Sequence, residues 1–233
     1  MSDTPLAPTP SIQRPGIVEL LAGAVAFAIG MAATVWLFST FEFEPAIAGL
    51  VQYALSGSLG LLGFAAAWIV RIRRLDVLGV RRVSGRWLAI GAASGLGTFA
   101  LGLLTSLVLS LFLPAPENIQ SDYQSAAAGG AAAFAATLLL GAVLTPLGEE
   151  AFFRGVVANA LGRFSAWISV PVSAAIFAVV HGINAVFLTA FIVGIATALL
   201  FRRTGSIWPG VLTHLVHNTL AILFPLVVTA LLG

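Results

Sequence analysis

Leu147-Gly148-Glu149-Glu150-Ala151-Phe152-Phe153-Arg154-Gly155 sets two adjacent carboxylates and an arginine inside a long apolar run, residues 126–147 before it and 155–161 after. Charges at bilayer depth are costly, so retained ones usually face a bundle interior and serve a purpose. On a helix, Glu150 and Arg154 stand one turn apart and can neutralise each other. Glu149 points about 100° away at helical pitch and does not share that pairing easily. One carboxylate is then paired and the other free to act. The plainer reading is a solvated helix start just outside a membrane, its acidic residues set against the positive end of the helix.

Composition decides the class. Of 233 residues, 59% are hydrophobic and 9% charged, with a mean hydropathy of +1.04, far from a soluble domain of this size. The apolar runs are continuous, not alternating, which argues against a barrel. The expected fold is all-α: a polytopic transmembrane helical bundle of about seven spans. The chain has no lysine, and the high pI of 9.9 comes from loop arginines, so it bears on orientation and not on nucleic acid. The absence of cysteine excludes disulfides and thiolate chemistry.

Residues 1–15 read as a polar, proline-rich, disordered tail. Residues 16–125 hold the N-terminal spans, expected over 17–40, 46–70 and 87–113. Between the last two lies a loop, 71–86, with six arginines against Asp76, a cytoplasmic signal. Residues 114–125 form the opposite loop, with Glu117 and Asp122. Residues 126–233 form the helical core. A fourth helix starts near residue 126 and kinks at Pro146. Helices over 166–180, 185–201 and 208–232 follow, joined by turns at 181–184 and 202–206. Arg154, Arg163, Arg202 and Arg203 join the loop arginines on one side. The amino terminus is then cytoplasmic and the carboxyl terminus external, and the 24 glycines suit close helix packing.

All three histidines, His181, His214 and His217, lie in the last 53 residues. A lone membrane histidine is more often a hydrogen-bonded packing residue than a catalyst, but here depth brings two of them to the carboxylates. Glu150 lies 12 residues before the 162–165 turn and His181 16 residues after it, placing both roughly 18–24 Å in. His214 is about 12 Å in from the basic turn, and Asn218, at about 18 Å, shares its face. Because His181 also begins a turn, that turn must be recessed inside the protein, where irregular backbone is tolerated only around protein or a wet cavity.

A glutamate, two histidines and an asparagine around such a cavity form a hydrolytic constellation. A desolvated carboxylate can take a proton from water, a histidine can hold that water, and a His/Asn pair can stabilise an oxyanion. The same side chains could instead hold a divalent metal, zinc being the natural candidate, with Glu149, His181 and His214 as ligands. Neither Gly-x-Ser-x-Gly nor His-Glu-x-x-His is present.

Glu149-Glu150-x-x-x-Arg154, Phe177-x-x-x-His181 and His214-x-x-x-Asn218, in that order, resemble the three motifs of the CAAX-protease and bacteriocin-processing (CPBP, or Abi) intramembrane endopeptidases. Type II CAAX prenyl endopeptidases belong to the same group. The resemblance covers about residues 126–224. It implies a catalytic set of Glu149, Glu150, Arg154, His181, His214 and Asn218. Glu149 would activate water with His181, Glu150 and Arg154 would brace the helix, and His214 and Asn218 would form the oxyanion site. In the metal-dependent alternative His214 becomes a ligand. Phe177 packs, and His217 falls outside the motif. The resemblance also implies a bacterial cytoplasmic membrane as the setting and a membrane-associated peptide or protein as substrate, prenylated proteins not being expected there.

The expected function is therefore an intramembrane endopeptidase, with the lipid bilayer as surroundings and no nucleic-acid partner. The competing class is a small transporter, or an immunity or scaffold protein using the Glu/His cluster to carry protons or pair helices. A proton carrier needs ionisable groups reaching both surfaces, and the first three spans look almost empty of buried charge.

Overall fold

The computed structural model describes residues 14–112 and 117–232. Most of the expected disordered tail, residues 1–15, lies outside the described residues. Eight helices account for the fold, with no strand among the described residues. They are α1 (Ile17–Thr40), α2 (Pro45–Ile72), α3 (Gly85–Ser110), α4 (Ser121–Ala128), α5 (Ala131–Leu161), α6 (Ala166–Val180), α7 (Phe187–Thr204) and α8 (Trp208–Leu232). Six of them, α1, α2, α3, α5, α7 and α8, are long and apolar enough to cross a membrane. The outer faces are covered with large apolar side chains such as Ile29, Val35 and Leu107, each more than 60% exposed. Surfaces of that kind belong in hydrocarbon rather than water.

The seventh apolar helix, α6, has 15 residues, about 22 Å of rise against the ~30 Å of a hydrocarbon core. It ends at His181, which is half-buried, but the turn that follows is not enclosed by protein as expected: Ile183 is 89% exposed and Asn184 is exposed as well.

Glycine sets how closely the helices approach. A Cβ at Gly60 of α2 would stand 2.3 Å from the Gly148 carbonyl group of α5, so only glycine permits this crossing. On the other side of the bundle, Gly91 and Gly95 of α3 lie against the Pro209 and Thr213 backbone of α8. Between these pairs, Phe152, Phe153 and Val156 of α5 pack with Phe177 of α6 and Val193 of α7. Phe153 meets Phe177 edge-on with centroids 5.0 Å apart.

Three more expectations need correction. The fourth helix does not run unbroken from residue 126, because the chain breaks at Gly129 and Gly130, where Gly130 takes φ 95°, a conformation open to glycine. Its missing N–H does not make Pro146 a simple kink. A wide π turn at Leu138–Leu144 precedes the α-helical stretch Thr145–Phe152, and a second spans Phe153–Ala158. Such turns absorb a lost i→i−4 bond and are frequent at functional sites. Nor are the first spans empty of charge. Glu19 of α1 is fully buried, bonded to the Gly16 N–H at 2.7 Å and to Arg71 at 2.7 Å. This pair closes the arginine-bearing end of α1 and α2 and forms no ionisable path through the bundle.

Candidate active site

Glu149 and Glu150 sit on the α-helical stretch between the two π turns, and both are buried. Their side chains diverge, as adjacent helical positions must. Glu150 reaches Arg154, with Oε2 3.1 Å from Nε. Arg154, 1% exposed, lies over the Phe177 ring at 4.4 Å, and its Nε donates to the Thr197 hydroxyl at 2.7 Å. The Thr197 hydroxyl in turn donates to the Val193 carbonyl at 2.9 Å. Although its position counts toward the arginine side of the chain, Arg154 is thus held at depth by a carboxylate, a hydroxyl and an aromatic face.

Glu149 turns the other way. Its Oε1 accepts a hydrogen bond from Ser56 of α2 at 2.5 Å. Its Oε2 has no hydrogen-bond partner among the described residues and lies 3.8 Å from both His181 Nε2 and His214 Nε2. His181 is oriented from behind: its Nδ1 is 2.7 Å from the Phe177 carbonyl, and since a carbonyl only accepts, Nδ1 carries a proton and Nε2 is turned toward Glu149. His214 Nδ1 lies 3.4 Å from Glu150 Oε1 with no hydrogen bond between them, so the second glutamate stands beside this histidine as well as pairing with Arg154.

A cavity of about 510 Å³ opens in front of these groups, lined by Glu149, His181, His214, His217 and Asn218 among mostly apolar neighbours. A second, of about 410 Å³, reaches Glu149 and His181 from the α1–α2 side. Glu150 and Arg154 line neither, and stand behind His214. Asn218 donates one N–H to the Gly141 carbonyl at 2.9 Å, leaving its other amide hydrogen for the cavity. His217 faces α3, with Nδ1 3.1 Å from the Thr98 hydroxyl, and its ring edge also borders the cavity.

The structure therefore brings Glu149, His181, His214 and Asn218 to one cavity, with Glu150 and Arg154 as a buried brace. Sequence reasoning missed Ser56 and Thr197. Ser56 carried one usable signal: it lies beside Gly57, on the glycine-rich face by which α2 meets α5. Thr197 carried none.

Carboxylate and imidazole donors match zinc in kind. As placed, however, no three such side chains among the described residues form a group that could hold an ion. A tetrahedral zinc with bonds of about 2.0–2.1 Å brings its ligand atoms to roughly 3.3 Å of one another. The 3.8 Å separations here are wider. A water oxygen at about 2.8 Å from each atom spans them without movement.

Residues 131–220, from the start of α5 into α8, match the family model for type II CAAX prenyl endopeptidases, Rce1-like. An uncharacterised 24.3 kDa protein of Escherichia coli is 32% identical over 94 residues, 38% of this chain and 43% of that protein. The aligned part thus spans less than half the length of this curated relative. No solved structure matches.

Proposed function

We propose, from a chain whose residues 131–220 match the family model for Rce1-like type II CAAX prenyl endopeptidases, that this protein hydrolyses a peptide bond inside the membrane by glutamate-activated water. One observation carries the reading. Glu149 Oε2 is buried, lacks a hydrogen-bond partner among the described residues, and faces two imidazole nitrogens at 3.8 Å.

Water bridging Glu149 and His181 is positioned by the His181 Nε2 lone pair and gives its proton to Glu149. Its oxygen bonds to the scissile carbonyl carbon, and negative charge develops on the carbonyl oxygen. His214 and the free N–H of Asn218 stabilise that oxyanion. His214 donates from Nε2, the ring nitrogen that lies toward Glu149 at the cavity. The C–N bond then breaks, and the proton held by Glu149 passes to the leaving nitrogen. Ser56 fixes the carboxylate so that Oε2, and not Oε1, faces the water.

Zinc chemistry is the second reading, with Glu149, His181 and His214 as its ligands. A bound zinc would supply Lewis acidity toward the water and the carbonyl. The substrate is a membrane-associated peptide or protein entering a largely apolar cavity. The arginine-bearing end, with the amino terminus, faces the cytoplasm of a bacterial membrane, by the bias of Arg71 to Arg86. Comparing membrane peptides from cells carrying the wild-type protein and Glu149→Gln tests the proposal. Peptides that accumulate uncut only in the variant support it, and identical peptide sets refute it.

A further inference from the structure

At the arginine-bearing end, roughly 20 Å along α5 from Glu149 to Gly162, a separate cleft of about 550 Å³ opens between α5, α6, α7 and the loop that follows α2. Its size is that of a small-molecule site. Four guanidiniums line it, from three separate parts of the chain: Arg14 before α1, Arg74 and Arg81 in the loop, and Arg202 in the last turn of α7. None takes part in the chemistry at Glu149.

One edge of three of these groups is anchored by neutral oxygen. Arg14 donates to the Gly162 carbonyl at 2.5 Å and Arg81 to the Thr204 carbonyl at 2.6 Å. Arg202 donates to the Ser169 hydroxyl at 3.0 Å. These bonds fix orientation without cancelling charge. The cleft's carboxylate, Asp76, is spent on Arg74 at 2.6 Å, and that guanidinium holds the Asp76 carboxyl below the usual carboxylate range. Among the described residues, Arg14, Arg81 and Arg202 have no carboxylate partner. Ser169 is buried and accepts from Arg202, which leaves its own O–H to donate.

Converging like charges repel unless an anion joins them. Helix capping explains the bonded N–H of Arg14 and of Arg81 but not why four guanidiniums line one open volume. Guanidinium forks match phosphate oxygens two at a time, and basic pockets between membrane helices suit phospholipid headgroups. We infer that this cleft binds a phosphate group, carried by an anionic lipid headgroup or by free phosphate, on Arg14, Arg81 and Arg202.

The full-length protein in neutral detergent is titrated with short-chain phosphatidylglycerol, short-chain phosphatidylcholine and inorganic phosphate. Binding is read by native mass spectrometry and by the shift in unfolding temperature. Saturable binding of phosphatidylglycerol alone assigns a lipid headgroup, and binding of inorganic phosphate as well assigns a free phosphate group; either supports the site. Arg81→Gln/Arg202→Gln should weaken binding by about tenfold or more, the scale of losing charge-assisted hydrogen bonds. Arg82→Gln/Arg86→Gln, an equal charge loss on exposed positions outside the cleft, should leave it within about twofold. Asp76→Asn, which removes the cleft's carboxylate, should tighten binding several-fold, a gain that misfolding cannot imitate. Equal weakening in the two arginine pairs, unchanged or weaker binding in Asp76→Asn, or no saturable binding of phosphatidylglycerol or phosphate would overturn the inference.

Discussion

Ser56 and Glu149, 93 positions apart in the chain, meet hydroxyl to carboxylate at 2.5 Å. The contact joins α2, which lies outside the matched segment, to a glutamate within it. It fixes which carboxylate oxygen faces the histidines. Ser56→Ala should therefore lower peptide cleavage by about tenfold to a hundredfold, the range of one hydrogen bond to a charged group. The protein should still accumulate and keep its unfolding temperature within a few degrees. Wild-type turnover in Ser56→Ala, measured on purified protein, would remove Ser56 from the site.

The two glutamates should separate by phenotype. Glu149→Gln keeps the shape and the Ser56 bond but removes the base, so cleavage should vanish while the protein accumulates normally. Glu150→Gln leaves Arg154 buried without a charged partner, a loss of about 3–5 kcal/mol, and frees the His214 ring from its Nδ1 contact at 3.4 Å. Its yield and unfolding temperature should fall, and activity with them. Normal cleavage by Glu149→Gln would end the catalytic assignment.

Helix contact through glycine is testable without touching the chemistry. Gly60→Ala puts a methyl group 2.3 Å from the Gly148 carbonyl group, and forcing α2 off α5 should cost about 1–3 kcal/mol. At Gly97 of α3 nothing lies within 4 Å of a new Cβ. Gly97→Ala should be neutral or stabilise the helix by up to ~1 kcal/mol. Unfolding temperatures of the two variants side by side decide the point, and a stable Gly60→Ala would contradict the packing described.

Much of this arrangement was legible because its determinants are local. Apolar run length marks the spans, and the limits of α6 and α8 coincide with those read from the sequence. Spacing along single helices placed Glu150 beside Arg154 and put Asn218 one turn from His214. Contacts between helices were hidden. Ser56 and Ser58 both flank Gly57 on α2, so that glycine marks the helix contact but not which serine meets a carboxylate. Membrane serines and threonines often bond their own helix, as Thr34 and Thr105 do here, so Thr197 carried no mark of its role. The π turns flanking Glu149 left only Pro146 as a trace. Glu19 passed unremarked in the first span, because its partner Arg71 is 52 residues away and reads as part of a loop.

The last prediction concerns the two histidines of His214-Leu215-Val216-His217-Asn218. His214 turns toward both glutamates, whereas His217 turns about 60° away at helical pitch and rests its Nδ1 on Thr98 of α3 at 3.1 Å. The Thr98 hydroxyl already donates to the Gly95 carbonyl at 3.1 Å, so it accepts from His217 and holds that ring in a packing role. Under the water-activating mechanism, His214→Ala should abolish cleavage, while His217→Ala keeps most of it and loses about 1 kcal/mol of stability with its hydrogen bond. Neither purified variant, nor the wild-type protein, should then carry stoichiometric zinc by elemental analysis, and chelators should leave activity intact. If the wild-type protein instead holds one zinc per chain, and His214→Ala loses metal and activity together while His217→Ala keeps both, the ion belongs with Glu149, His181 and His214. Loss of zinc and activity in His217→Ala would mean that the ring leaves Thr98 to become a ligand, three residues from His214 on the same helix.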